Sequence, residues 1–229
     1  MNPRVLACAL LFSSISFVGS LSAANSSAVE SSATWTPLFD GQSLAGWRGY
    51  KSEAPGAGWA VVNGAIVLNG KGGDLITVKE YGDFDLSFEW KVTQTANSGV
   101  IYRVGLGDSA PYITGPEYQV LDNEKATDNK QQNHLAGSLY DLALESNATT
   151  KPVGQWNTAR IVVRGWHIQH WLNGQKVVDV DLASPEGKAL IAASKFKDWK
   201  KFASLARGHI ALQDHGYVVS FREIKIREL

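Results

Sequence analysis

Along residues 83–92 apolar and polar side chains alternate with period two. Phe84, Leu86, Phe88, Trp90 and Val92 fall on one face, and Asp83, Asp85, Ser87, Glu89 and Lys91 on the other. That is the pattern of a strand with one buried face. Shorter runs of the same kind occupy 60–68, 99–104, 117–121, 158–164, 166–172, 176–181, 208–213 and 217–227. Between them stand turn-forming pairs, among them Asp40-Gly41, Asn63-Gly64, Asn69-Gly70 and Asn173-Gly174. The last of these predicts a tight hairpin between the runs at 166–171 and 176–180. One helix is predicted, capped by Ser184, opened by Pro185 and running through 188–194. Many short strands with frequent turns and little helix predict an all-β sandwich or barrel and argue against a βαβ fold. No fixed-period repeat and no second domain boundary is visible.

The N-terminus reads differently. Arg4 precedes an apolar run from Val5 to Val18, and Ser22 and Ala24 occupy the small −3 and −1 positions of a signal-peptide cleavage site. The run is too short for a spanning helix of about 20 residues. Residues 1–24 are therefore expected to be a secretory leader, 25–33 a small polar linker, and 34–229 one domain of a periplasmic or secreted protein. Cys8 is the single cysteine and leaves with the leader. The mature chain then has no disulfide, no thiol nucleophile and no thiolate ligand. The chain carries 22 Lys and Arg against 22 Asp and Glu, and losing Arg4 leaves it one charge negative. Such a balance offers no footprint for nucleic acid or an anionic membrane. Eight Trp, seven Tyr and eight Phe supply core, or flat surfaces for sugar rings, with Trp47, Trp59, Trp166 and Trp199 as candidate shelves.

Several polar groups interrupt the apolar strands. Glu117 and Gln119 share one face of their strand, with Tyr118 and Val120 on the other. Arg103 sits on a mostly apolar strand, Glu89 lies between Phe88 and Trp90, and Gln213-Asp214-His215-Gly216 follows another apolar run. Each also has a structural reading: Arg103 pairing with Glu117, Glu89 facing solvent, Asp122-Asn123 and Asp214-His215-Gly216 forming turns through their own backbone. A retaining sandwich glycosidase would carry Glu-x-Asp-x-x-Glu, two carboxylates about 5 Å apart. The matching stretch here, Glu117 to Asp122, has Gln119 at the central acid. There is no Gly-x-Ser-x-Gly elbow and no His-Glu-x-x-His. His167 and His170 would point to opposite faces of a strand, which disfavours a shared metal.

A set of ordered motifs resembles the 3-keto-disaccharide hydrolase domain family. It comprises Leu38-Phe39-Asp40-Gly41 through Gly46-Trp47, Tyr81-Gly82-Asp83-Phe84, Asn97-Ser98-Gly99, Gly115-Pro116-Glu117-Tyr118-Gln119-Val120-Leu121-Asp122, Gly154-Gln155-Trp156-Asn157, His170-Trp171-Leu172-Asn173-Gly174, and Gly208-His209-Ile210 with His215-Gly216. The resemblance covers about residues 35–229. It implies a concanavalin A-like jelly-roll β-sandwich of two antiparallel sheets with one or two short helices. It also implies cleavage of glycosides whose sugar carries a ketone at C3, by elimination and hydration.

Such a reaction needs a base for the acidified C2 proton, a donor for the enolate oxygen and an acid for the leaving group. On that reading Glu117 or His134 is the base and Arg103 the enolate stabiliser. Asp122, Gln119, Gln213 and His215 position the sugar, Tyr140 covers the ring or donates a proton, and Glu89 and Lys195 are further candidates. A divalent metal held by Glu, Asp and His is the alternative electrophile to Arg103. A non-catalytic carbohydrate-binding module is the alternative function. The expected partner is a 3-keto-glycoside, and nothing in the sequence specifies an oligomer.

Overall fold

The computed structural model describes Met1, residues 34–146 and residues 149–229. Beyond Met1, the expected leader and linker lie outside the described residues. These residues form thirteen strands: β1 (Thr36–Pro37), β2 (Trp47–Gly49), β3 (Trp59–Val62), β4 (Ala65–Leu68), β5 (Leu75–Thr77), β6 (Phe84–Val92), β7 (Asn97–Val104), β8 (Glu117–Leu121), β9 (Asn157–Arg164), β10 (His167–Leu172), β11 (Gln175–Asp181), β12 (His209–Leu212) and β13 (Val219–Glu228). The helix α1 spans Pro185–Ala193, and two 3₁₀ turns span Pro111–Ile113 and Gln132–His134.

The strands make the jelly-roll sandwich expected from the sequence. The larger sheet runs β11-β10-β9-β6-β13-β4-β3 with β1 paired to β13, and the smaller runs β2-β5-β12-β7-β8. Every pairing is antiparallel. The run at 60–68 is two strands, because Asn63 and Gly64 both take positive φ and fold it into a hairpin. Asn173 and Gly174 do the same between β10 and β11. Ser184 accepts a hydrogen bond from Gly187 N at 3.0 Å and Pro185 opens α1, so the cap forms as its chemistry predicts. The short β1, β2 and β5 have too few residues for an alternation to show and are absent from the sequence reading.

The inner faces pack on one another. Phe84, Leu86, Phe88 and Trp90 from β6 meet Tyr102 from β7 and Tyr118 from β8 in one buried cluster. Phe88 stands edge-on to Tyr118 with centroids 5.5 Å apart. His170 is fully buried in this core. Its Nδ1 lies 3.0 Å from Gly137 O and its Nε2 3.0 Å from the Tyr102 hydroxyl. A carbonyl can only accept, so Nδ1 carries the proton and Tyr102 donates to Nε2. Burial holds the His170 pKa down to about 4.

The outer face of β6 is less polar than its alternation suggests. Asp85 is buried, since Arg160 from β9 donates to both its oxygens (2.8 and 2.7 Å) and Arg227 from β13 adds a contact at 3.0 Å. Charge-assisted pairs of this geometry let a carboxylate sit away from water.

Candidate active site

On β8 the alternation divides labour. Tyr118 and Val120 enter the core, while Glu117 and Gln119 rise from the other face of the smaller sheet. A cavity of about 870 Å³ opens over that face, within the range of small-molecule sites. Asn97 from β7 and Gln213 from the end of β12 share the floor with Glu117 and Gln119. The walls come from the connecting segments, which bring Asp74, Asp128, Tyr140, Lys195, Asp214 and His215 to the same space.

Glu117 is the most perturbed acid of the cavity. It is 7 % exposed, and its carboxyl has no hydrogen-bond partner among the described residues. Burial pushes its pKa up to about 8; Lys195 pulls it down, and Asp74 and Asp128 push it further up. Room for the carboxyl exists only because β7 carries Gly99 beside it: a Cβ built there would stand 1.9 Å from Glu117 Oε1. Gln119 is 1 % exposed. Its Oε1 accepts from Val120 N at 3.2 Å, which leaves Nε2 as a buried donor with no partner among the described residues.

A connected set of groups builds one wall. Tyr140 donates its hydroxyl to Asp128 Oδ2 at 2.8 Å. His134 lies 2.7 Å from Asp128 Oδ1 through Nδ1 and 2.9 Å from Asp141 Oδ1 through Nε2. Asp141 Oδ2 accepts from the Lys195 backbone N–H at 2.7 Å. The Lys195 ammonium sits 4.1 Å from the Tyr140 ring centroid, a cation–π contact. Burial and the Asp128 carboxylate both raise the Tyr140 pKa, so its hydroxyl keeps its proton and offers oxygen lone pairs to the cavity. Partial burial lowers the Lys195 pKa, against the opposing pull of Glu117, Asp141 and Asp128.

Asp214 ties two connecting segments of the cavity wall together. Its Oδ2 accepts from both Gly72 N and Gly73 N at 2.7 Å, and its own N–H donates to Asp74 Oδ1 at 2.9 Å. Burial raises the Asp74 pKa; the hydrogen bond from the Asp214 backbone opposes this, and the Asp214 charge adds to it. Tyr112 and Trp199 contribute an aromatic rim, their rings 6.1 Å apart. Trp199 is braced edge-on by Phe196, which stacks on Phe202 at 3.8 Å.

Of the residues singled out in the sequence, Glu117, Gln119, Tyr140, Lys195, Gln213 and His215 line this cavity. Four do not. Arg103, expected as the enolate stabiliser, falls at a β-bulge: its φ is +53° and the pairing with β12 shifts register there. The bulge takes it out of the alternation that carries Glu117. Its guanidinium donates instead to Gly82 O (3.2 Å), Gly165 O (2.6 Å) and Asp83 (2.8 Å), beside the Trp166 ring. Asp122 is a turn former, accepting from Thr95, Glu124 and Lys125 N–H groups. Glu89 pairs with Arg222 at 2.7 Å on the outer face of the larger sheet. His134 lies behind the wall with both ring nitrogens committed to aspartates, so it has no nitrogen left to act as base and instead positions Asp128.

Sequence reasoning missed Asp74, Asp128 and Tyr112. Asp128 stands in an irregular loop and Tyr112 in a single 3₁₀ turn, where no periodicity states which way a side chain points; Asp74 follows a Gly-Gly pair that reads only as a turn. Among the candidate shelves, Trp47 and Trp59 belong to the core, donating to Leu38 O and Gly73 O, and Trp199 alone reaches the cavity. Among the described residues no group of three or more His, Cys, Asp or Glu is arranged to hold a metal ion.

The profile of the family described as the 3-keto-alpha-glucoside-1,2-lyase-like domain matches residues 34–227. The chain belongs to this family. As a 3-keto-alpha-glucoside-1,2-lyase-like domain it is 34 % identical, over 224 residues, to the 3-keto-disaccharide hydrolase of Bacteroides thetaiotaomicron, covering 84 % of this chain and 77 % of that protein. It superposes on a candidate glycosyl hydrolase from Parabacteroides distasonis with a TM-score of 0.81 and 30 % identity, over 85 % of this chain and 94 % of the other. A second structure from that organism gives 0.71 and 28 %, over 86 % and 100 %. These relatives support a carbohydrate hydrolase.

Proposed function

We propose that the cavity cleaves the glycosidic bond of 3-keto-glycosides by elimination and hydration, with Glu117 moving the C2 proton. The observation that carries this reading is the Glu117 carboxyl, enclosed in a sugar-sized cavity, its pKa pushed up to about 8, with no hydrogen-bond partner among the described residues. A carboxyl with no structural duty in a desolvated cleft is suited to proton transfer.

In the proposed sequence the Glu117 carboxylate takes the proton from C2. The electron pair forms C2=C3 and leaves the former ketone oxygen as an enolate. Collapse of the enolate forms C1=C2, restores the C3 ketone and breaks the C1–O bond, and the departing oxygen takes up a proton. Water then adds at C1 while a proton returns to C2. With Arg103 outside the cavity, Lys195 supplies the positive charge near the developing oxyanion and near the departing group. Tyr140, its own proton held by Asp128, accepts from a sugar hydroxyl. Tyr112 and Trp199 give a sugar ring an apolar face to lie on. The leader read from residues 1–24 supports action in the periplasm or outside the cell.

Incubation with 3-keto-trehalose, following glucose release, tests the reading. Turnover by the wild type with a loss of at least about 100-fold in Glu117→Gln is the expected result. Absence of turnover, or full activity in the variant, overturns it. A carbohydrate-binding module, the rival suggested by the Tyr112–Trp199 rim, would hold the sugar unchanged. Such a module gains nothing from burying an unpartnered acid, which costs stability.

A further inference from the structure

We propose that Gln119 is the group that reads the ketone: its Nε2 donates to the C3 carbonyl oxygen of the substrate, and to the enolate oxygen that the carbonyl becomes. This inference rests on the reaction proposed above and adds a residue that decides which sugars enter it.

Gln119 is 1 % exposed, faces the cavity, and leaves Nε2 without a partner among the described residues. The orientation of the amide follows from its neighbour, because Val120 N–H can only donate and points at Oε1 from 3.2 Å. The unpartnered atom of this cavity-lining side chain is thus its NH₂ group and not its carbonyl. A buried donor left empty is costly, so a ligand atom that accepts is the natural partner. A carbonyl or enolate oxygen only accepts, whereas a hydroxyl also brings a proton that needs a home.

The spacing fits the chemistry. Glu117 and Gln119 are two residues apart on β8 and share a face, so their Cα atoms stand about 6.6 Å apart. In the substrate the C2 proton and the C3 oxygen belong to adjacent carbons. A base and an oxygen donor rising side by side from one strand can address both at once. Opposite Gln119 on β7 is Gly99, so no side chain from that position stands between the amide and Glu117. A donor placed where charge develops strengthens its bond as the enolate forms.

The test measures binding of 3-keto-glucose and of glucose by calorimetry, on the full domain, in wild type, Gln119→Met and Gln119→Asn. The methionine removes the donor at similar length; the asparagine withdraws it by one carbon and serves if the methionine variant fails to fold. The expected result is a wild-type preference for the ketone of at least tenfold, falling to within about threefold in the variants, with glucose affinity much less changed. Variants that keep the preference, or a wild type that shows none, overturn the inference. Turnover of 3-keto-trehalose by the same wild-type preparation separates the two claims. Ketone preference without turnover leaves Gln119 as the reader and removes the cleavage reaction; turnover without preference does the reverse.

Discussion

The carboxyl of Glu117 occupies the space that a side chain at Gly99 would fill, with Oε1 1.9 Å from where a Cβ would stand. The two residues are on neighbouring strands, β8 and β7, in diagonal register. An apparently featureless glycine in the Asn97-Ser98-Gly99 motif thus sets the position of the proposed base.

Gly99→Ala tests that dependence. The alanine has no backbone obstacle, since Gly99 does not take a positive φ, but it evicts the Glu117 carboxyl. Overpacking of this kind costs roughly 1–3 kcal/mol, while displacement of a reacting group by about 1 Å lowers rate by about 100-fold. Thermal melting and kcat/KM on 3-keto-trehalose together should show a folded protein with a large loss of activity. Undiminished activity would contradict the arrangement.

The pH dependence of stability should carry the signature of Glu117. Its carboxyl has an ordinary value of 4.5 and is pushed up to about 8 in the folded protein. Between those values the folded state binds the proton that the unfolded state has lost, so stability falls as pH rises through this window. Glu117→Gln removes the slope, and its advantage over wild type should grow by a few kcal/mol between pH 5 and 8.5 in urea titrations. Activity has the opposite trend, because the base form is required: kcat/KM should climb toward about pH 8 and level off.

His170 sets the acid limit. Its ring is held neutral down to about 4, from an ordinary 6.5, so below 6.5 the unfolded chain takes up a proton that the core refuses. Stability is therefore lost as pH falls from about 6.5 to about 4, by up to about 3 kcal/mol. His170→Gln keeps a donor and an acceptor for Gly137 O and the Tyr102 hydroxyl but does not titrate. Denaturation at pH 4.5 and 7.5 should show a smaller difference in the variant than in wild type.

Arg103 should prove structural. Removing its guanidinium leaves Gly82 O and Gly165 O without that donor and Asp83 without its cation. Arg103→Met is expected to cost roughly 2–4 kcal/mol while kcat per folded molecule stays within about twofold. A selective collapse of kcat in a fully folded variant would restore it to the chemistry.

Local physics in the sequence determined the strands, the Asn-Gly hairpins, the Ser184 cap and the inward face of β6, because period-two alternation and turn chemistry are properties of neighbouring residues. It also determined that Glu117 and Gln119 share a face opposite Tyr118. Only the tertiary structure decided which polar groups meet. A single bulge at Arg103 removes it from the face that alternation assigns, and Asp122 turns inward to its own loop. Asp128, Lys195 and Trp199 reach the cavity of Glu117 from connecting segments outside its strand. Their convergence depends on how loops cross a folded sheet, and no periodicity along the chain encodes that.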